Sequence, residues 1–275
     1  MSQVFETAEA ALESPSYTEA LHELLFRLAD DDFLLAYRGS EWLGLAPHIE
    51  EDVAFSSISQ DTMGHAAMYY ELLEELRAGR ADDLAHLRPA SERKNSCLVE
   101  LANGTGTYLE NPHYDWAFAV VRHFFYDLYK MELCKVLQKT SYTPLQQVAR
   151  KVASEQVFHL MHWRVWFRPL MKADGEAKTR MTAALQRFWS YSDELVSYGS
   201  QEVELVTHGL LPAQEEFKRR VLAVWESELT AVPQVSLEEV QKVTLDGRRG
   251  QHTEDLESAL CTLRSVYETD PQTVW

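Results

Sequence analysis

From residue 17 to 45 the apolar positions Leu21, Leu24, Leu25, Leu28 and Leu35 recur at the three-and-four spacing of one helical face. A long helix is predicted there, followed by a break at Pro47. The acidic pair Glu50 and Glu51 suits the positive end of a second helix, which should run to about Arg77 and stop at Gly79. The two make an antiparallel hairpin over about 17–78. The periodicity then lapses over about 79–112, where Asp82-Asp83, Pro89, Asn103-Gly104 and Gly106 mark a crossover rather than a bundle helix. Helices predicted over about 113–140 and 143–171 form a second hairpin, turning at 141–144 with Pro144 in the first turn of the latter. Extra helices follow over about 176–230, with breaks near Gly199 and from Gly209 to Pro212. After the loop Gly247-Arg248-Arg249-Gly250, a last helix over about 253–268 starts at Thr253, an N-cap type followed by Glu254 and Asp255.

No β-branched run and no Asn-Gly turn between alternating apolar residues occurs, so strands are not expected. The fold class is all-α. The hairpin–crossover–hairpin order is that of a ferritin-like four-helix bundle with additional C-terminal helices, expected to form a single domain over 1–275.

Hydrophobic residues at 45% and charged residues at 25% describe a chain that folds rather than one that stays disordered. The formal net charge of -17 makes nucleic acid and anionic membranes poor partners. Three cysteines, Cys97, Cys134 and Cys261, are odd in number and lack a CxxC pair, which suggests neither a disulfide framework nor a zinc site. The acidic N-terminus has no apolar signal core, and no apolar run approaches the roughly 20 residues of a membrane span. A reducing, cytoplasmic location is the expectation.

Di-iron bundles carry a lone carboxylate on each of two helices and a Glu-x-x-His on each of the other two. Here the second helix offers Asp61 and His65, the fourth offers Glu155 and His159, and the third supplies Asp127. Each histidine stands four residues after its acid, and the slot at three holds Gly64 and Phe158. One residue turns a side chain by about 100° around the axis, so the register misses a shared coordination sphere. Three readings stay open for Asp61, Asp127 and Glu155: a buried polar network, a real metal site, or plain solvent exposure. His159 and His162, three apart, could share a metal or simply pack.

The aromatics Trp163, Trp166 and Phe167, with Phe188, Trp189 and Tyr191, read as a substrate pocket or as core and subunit interface. Two basic spots, Arg93-Lys94 with Asn95 and Arg248-Arg249, could receive coenzyme A phosphates or could form ion pairs. No Walker A or dinucleotide fingerprint is present.

The turn Gly39-Ser40-Glu41-Trp42-Leu43-Gly44-Leu45-Ala46-Pro47, then Asp61 to Gly64, Asn95 to Glu100, Glu155 to His159 and the end from Gly247 to Leu256 resemble the C subunit of the bacterial phenylacetyl-coenzyme A epoxidases. The resemblance spans nearly the whole chain. It implies a ferritin-like structural subunit, without catalytic or metal-binding residues of its own and without a cofactor. Its expected partners are a homologous catalytic A subunit that holds the di-iron centre, a small B subunit, and a reductase using NADPH, FAD and an iron–sulfur cluster. Phenylacetyl-CoA could then sit at an interface, and a homodimer could form when the chain is alone. On this view Asp61, Gly64, His65, Asp127, Glu155, Phe158 and His159 are vestigial metal-site positions. The rival readings are a di-iron oxygenase in its own right and a ferritin-like binding bundle without an epoxidase partner.

Overall fold

The structure, a computed structural model, describes residues 3–272. A short α1 (Ala8–Leu12) precedes α2 (Pro15–Ser40) and α3 (Ile49–Glu75), which form the first hairpin. The crossover contains α4 (Ala81–His86), α5 (Cys97–Glu100) and a two-stranded antiparallel ribbon of β1 (Gly104–Thr107) and β2 (Glu110–Tyr114). The second hairpin is α6 (Trp116–Leu137) with α7 (Thr143–Lys172). Then come α8 (Gly175–Leu195), which packs on α6 and α7, α9 (Glu202–Thr207), α10 (Gln214–Leu229) against α6, and α11 (Glu254–Arg264) over the crossover. The chain is all-α with the connectivity expected of a ferritin-like bundle.

The helix starts follow local chemistry. Pro15 stands in the first turn of α2, His48 caps α3 ahead of Glu50, Glu51 and Asp52, and the Asp115 carboxylate accepts from the backbone N–H of Ala117 to cap α6. The ribbon corrects the expectation of no strands. Its Gly-Thr-Gly-Thr strand is exposed and carries no apolar alternation, so the sequence pattern is silent there. Because His113 and Tyr114 pair in β2, the third bundle helix begins at Trp116 and not near 113. The first bundle helix ends at Ser40, and Glu41 to Leu45 form turns instead.

Two helices are enclosed on all sides. Every residue of α2 from Arg27 to Ala36 and every residue of α6 from Ala117 to Lys130 is buried. A helix buried all round must also bury whatever polar residues its sequence contains. That places Asp30, Asp31, Asp32, Arg122, Asp127 and Lys130 inside.

Candidate functional site

The buried apolar residues of α7 are Leu145, Ala149, Val152, Leu160, Trp163, Phe167 and Met171, and Gln156 and His159 fall in the same row. Glu155 is about one-third exposed and Phe158 is 70% exposed. On α3 the same phase buries Thr62 and His65 and leaves Asp61 half-exposed and Gly64 at the surface. The expected assignment is therefore corrected. His65 and His159 themselves occupy the inward histidine positions, and the inward positions three residues earlier hold the neutral Thr62 and Gln156, while Gly64 and Phe158 are not in the core.

The interior of the bundle then reads as follows. From α2, Asp32 faces the Lys130 ammonium of α6, whose Nζ lies 2.9 Å from Oδ1 and 2.8 Å from Oδ2. Nζ also lies 2.8 Å from Nδ1 of His65. An ammonium can only donate, so Nδ1 accepts and the His65 proton is on Nε2, which donates to Glu155 at 2.6 Å. Tyr126 donates to Asp32 at 3.2 Å. Beside this chain lies Asp127, fully buried next to the Gln156 amide, and Nδ1 of His159 has no hydrogen-bond partner among the described residues. Burial pushes Asp127 up to about 7, and it pushes Asp32 up to about 6 against the pull of Lys130. Burial and the Lys130 charge hold His65 far below the usual imidazole range; burial takes His159 down to about 4 despite Asp61 at 3.2 Å.

These residues do not fit a di-iron centre. Such a centre needs four carboxylates to balance its charge, and here two of the four positions are Thr62 and Gln156 while a fixed cation, Lys130, lies among the rest. His159 and His162 do not converge, because His162 turns to Glu51 at 2.9 Å. The three pairs His65–Glu155, His159–Asp61 and His162–Glu51 lace α3 to α7.

The basic candidates lie in a second buried region. Arg93 is fully buried against Asp30 at 3.1 Å, with Arg88 on the same oxygen; Arg248 meets both oxygens of Asp31 at 2.8 and 2.7 Å. Asn95 is buried and donates to Glu100 at 2.7 Å; Lys94 pairs with Glu23 at 3.2 Å, and the exposed Arg249 with Asp246 at 3.3 Å. The ion-pair alternative describes these positions. A phosphate reaching Arg93 or Arg248 would have to displace a buried aspartate.

Asn95 to Glu100 and Gly247 to Leu256, two of the segments that carry the family resemblance, close on each other here. Glu100 accepts from Asn95, from His252 at 2.8 Å, and from the backbone and hydroxyl of Thr253 at 2.6 and 2.8 Å. Thr253 thus spends its hydroxyl on Glu100 and does not cap α11. Gly247 has to be glycine, since a Cβ there would lie 2.0 Å from the Asn95 carbonyl oxygen. Gly250 adopts φ +75° with the Ser91 carbonyl 2.8 Å from where a Cβ would stand. Cys97, Glu100 and His252 bring donor atoms within 4.8 Å of one another, a grouping the cysteine spacing does not reveal. The hydrogen bonds of Glu100 are already filled, and the Cys97 thiol is pushed up by burial.

Of the six aromatics, Trp163, Phe167 and Phe188 are fully buried, with Trp163 stacked on His123 and edge-on to Phe55, each at 4.9 Å, while Trp166, Trp189 and Tyr191 pack half-buried against the core. All three cysteines are free. No helix among the described residues is long and apolar enough to cross a membrane.

Fold and core together define an all-α bundle with a buried network of Asp32, Lys130, His65 and Asp127 in its interior. The chain belongs to the phenylacetic acid catabolic protein family, whose profile matches residues 1–275. It is 26% identical over 253 residues to the C subunit of the 1,2-phenylacetyl-CoA epoxidase of Escherichia coli (strain K12), covering 90% of this chain and 96% of that one.

Proposed function

We propose that this chain is a non-catalytic, structural subunit of a multicomponent di-iron monooxygenase that epoxidises the ring of phenylacetyl-CoA. Its role is to pair with and stabilise a homologous catalytic subunit. The di-iron centre lies in that partner, and NADPH, FAD and the iron–sulfur cluster lie in a reductase. The single observation that carries the reading is the replacement of both inward Glu-x-x-His carboxylates by Thr62 and Gln156. The name of the relative, a lettered subunit of an epoxidase, supports it.

An exposed apolar stripe supports the pairing. Val157, Phe158, Met161 and Val165 run along α7, and Ile49 and Val53 lie on the adjoining end of α3, all between 47 and 72% exposed. Glu51 ties the two helices together there through His162 and the Trp166 indole at 2.6 Å. Large exposed apolar side chains in one strip are what a subunit interface leaves on an isolated chain.

The test is metal content and reconstitution. Purified alone from iron-supplemented cells, the chain is expected to carry only trace iron and to show no oxygenase activity until the catalytic subunit is added. A full di-iron complement with activity of its own would overturn the reading. Phe158→Asp combined with Val165→Asp should leave the chain folded and weaken assembly with the catalytic subunit at least tenfold, measured by titration calorimetry.

A further inference from the structure

The core of the bundle keeps a cation position. Lys130 projects from α6 one turn beyond Asp127, and its Nζ is held by an acidic group and an imidazole at once, Asp32 at 2.8 Å and His65 Nδ1 at 2.8 Å. A plain buried ion pair needs only the carboxylate. Here the ammonium also takes a histidine lone pair, and the other ring nitrogen of that histidine donates to a carboxylate, Glu155, at 2.6 Å. Imidazole lone pair inward and N–H to an outer carboxylate is the arrangement in which proteins hold a histidine that binds a metal. Carboxylate plus imidazole is also a donor set that suits divalent transition metals.

We infer that Lys130 is the resident cation of this bundle: its tethered ammonium fills the cation position between Asp32 and His65, and shortening the side chain converts that position into a site for a divalent transition-metal ion. The inference deepens the metal-free reading above and rests on it. The charge arithmetic agrees with it. Asp32 and Lys130 cancel, Thr62 and Gln156 are neutral, His65 is neutral because its Nδ1 accepts from the ammonium, and the Glu155 carboxylate lies outside them, about one-third exposed. A divalent ion added beside Lys130 would sit against the ammonium in a buried core, which is strongly unfavourable. With the ammonium gone, the same ion meets an unbalanced Asp32, an inward imidazole lone pair, the buried Asp127 carboxyl and the second inward histidine, His159, whose ring lies 6.1 Å from that of His65.

The experiment uses the full-length chain stripped with EDTA and titrated with cobalt(II), read by thermal unfolding and by the visible ligand-field bands of the ion. Lys130→Ala is expected to show those bands and a Tm rise of about 5 °C at cobalt roughly a hundredfold above its Kd. The unaltered chain should show neither, and Lys130→Ala with His65→Ala should lose both. A folded Lys130→Ala that takes no cobalt overturns the inference while leaving the structural-subunit reading intact. Iron or cobalt bound by the unaltered chain overturns both. Should Lys130→Ala fail to fold, Lys130→Met and Asp32→Asn/Lys130→Met decide the matter. The double variant, neutral at both ends, is expected to melt above the single one, and a double variant no more stable than the single would overturn the assignment.

Discussion

Asp31 and Asp32 are neighbours on α2 and both are out of water, yet they belong to two differently built regions. Asp31 faces the crossover and the tail, where Arg248 meets both oxygens and the Ser96 N–H adds a third bond at 2.7 Å. Around it, Glu100 accepts four hydrogen bonds and Glu194 takes the Ser96 hydroxyl, the Cys97 N–H and the Gly247 N–H. Asp32 faces the bundle interior, where it accepts from Lys130 and Tyr126 alone and where Nδ1 of His159 keeps no partner among the described residues. Burial by itself does not say what a carboxylate does. The number of donors aimed at it does, and by that measure the first region is a lock and the second a more sparsely bonded polar core.

If the first region is a lock, breaking it costs most. Arg248→Ala strands Asp31 without its bidentate partner in the interior and is expected to destabilise the chain by about 3–5 kcal/mol in denaturant unfolding. Arg248→Lys should recover only part of this, since a point charge cannot span both oxygens. A loss within about 0.5 kcal/mol, the range of an ordinary surface substitution, would dissolve the distinction between the regions.

His252 gives a smaller effect with a definite sign. Its two nitrogens face acceptors only, Glu100 and the Arg93 carbonyl at 3.1 Å. Burial opposes the charged ring, but these acceptors outweigh it and hold its pKa above 6.5. A raised folded pKa contributes stability that is complete below about 6.5 and is lost as pH rises through the folded value. The Tm of the unaltered chain should fall from about pH 6.5 upward more steeply than that of His252→Gln. His252→Gln itself should cost about 1–3 kcal/mol at pH 6. Parallel slopes would remove the imidazolium from the lock.

Asp127 should respond in the gentlest way. Its pKa, pushed to about 7 by burial, means the folded chain holds a proton that the unfolded chain, near 3.8, has released. Stability from this group therefore falls as pH rises across that window, the reverse of a salt-bridged aspartate. Asp127→Asn, neutral throughout, is expected to stay within about 1 kcal/mol of the unaltered chain at pH 7 and to flatten its pH dependence between about 4 and 7. A loss of several kcal/mol would show Asp127 to be as fully partnered as Glu100.

Much of the architecture was legible in the chain. The long helices lie close to where the apolar spacing put them, because α3, α7, α8 and α10 each carry polar residues on an outward side, and the proline and glycine breaks fall between elements. The ribbon was not legible, since an exposed Gly-Thr-Gly-Thr strand buries nothing and leaves no alternation to read. In the site, Asp61 and Glu155 were visible as acids before a histidine, but they stand one residue off the buried row. A signal was available: Leu145, Ala149, Val152, Leu160, Trp163 and Phe167 fix the phase of α7 and select Gln156 and His159. Lys130 gave no such signal. A lysine on a helix is ordinarily a solvated residue, and it became a core cation because α6 is enclosed and turns this face to Asp32 of α2 and His65 of α3.

By itself the sequence determined the helices, their order and the family, because apolar period, caps and breakers act within a turn or two of the chain. Only the tertiary structure decided the fate of the charges. Asp30, Asp31 and Asp32 are spaced by about 100° each, so they point to three different neighbours, the arginines of the crossover, Arg248 of the tail and Lys130 of α6. Those partners lie 63, 217 and 98 residues away along the chain. No local pattern connects residues so far apart; packing brings them together, and the cost of burying a charge then requires that each be paired.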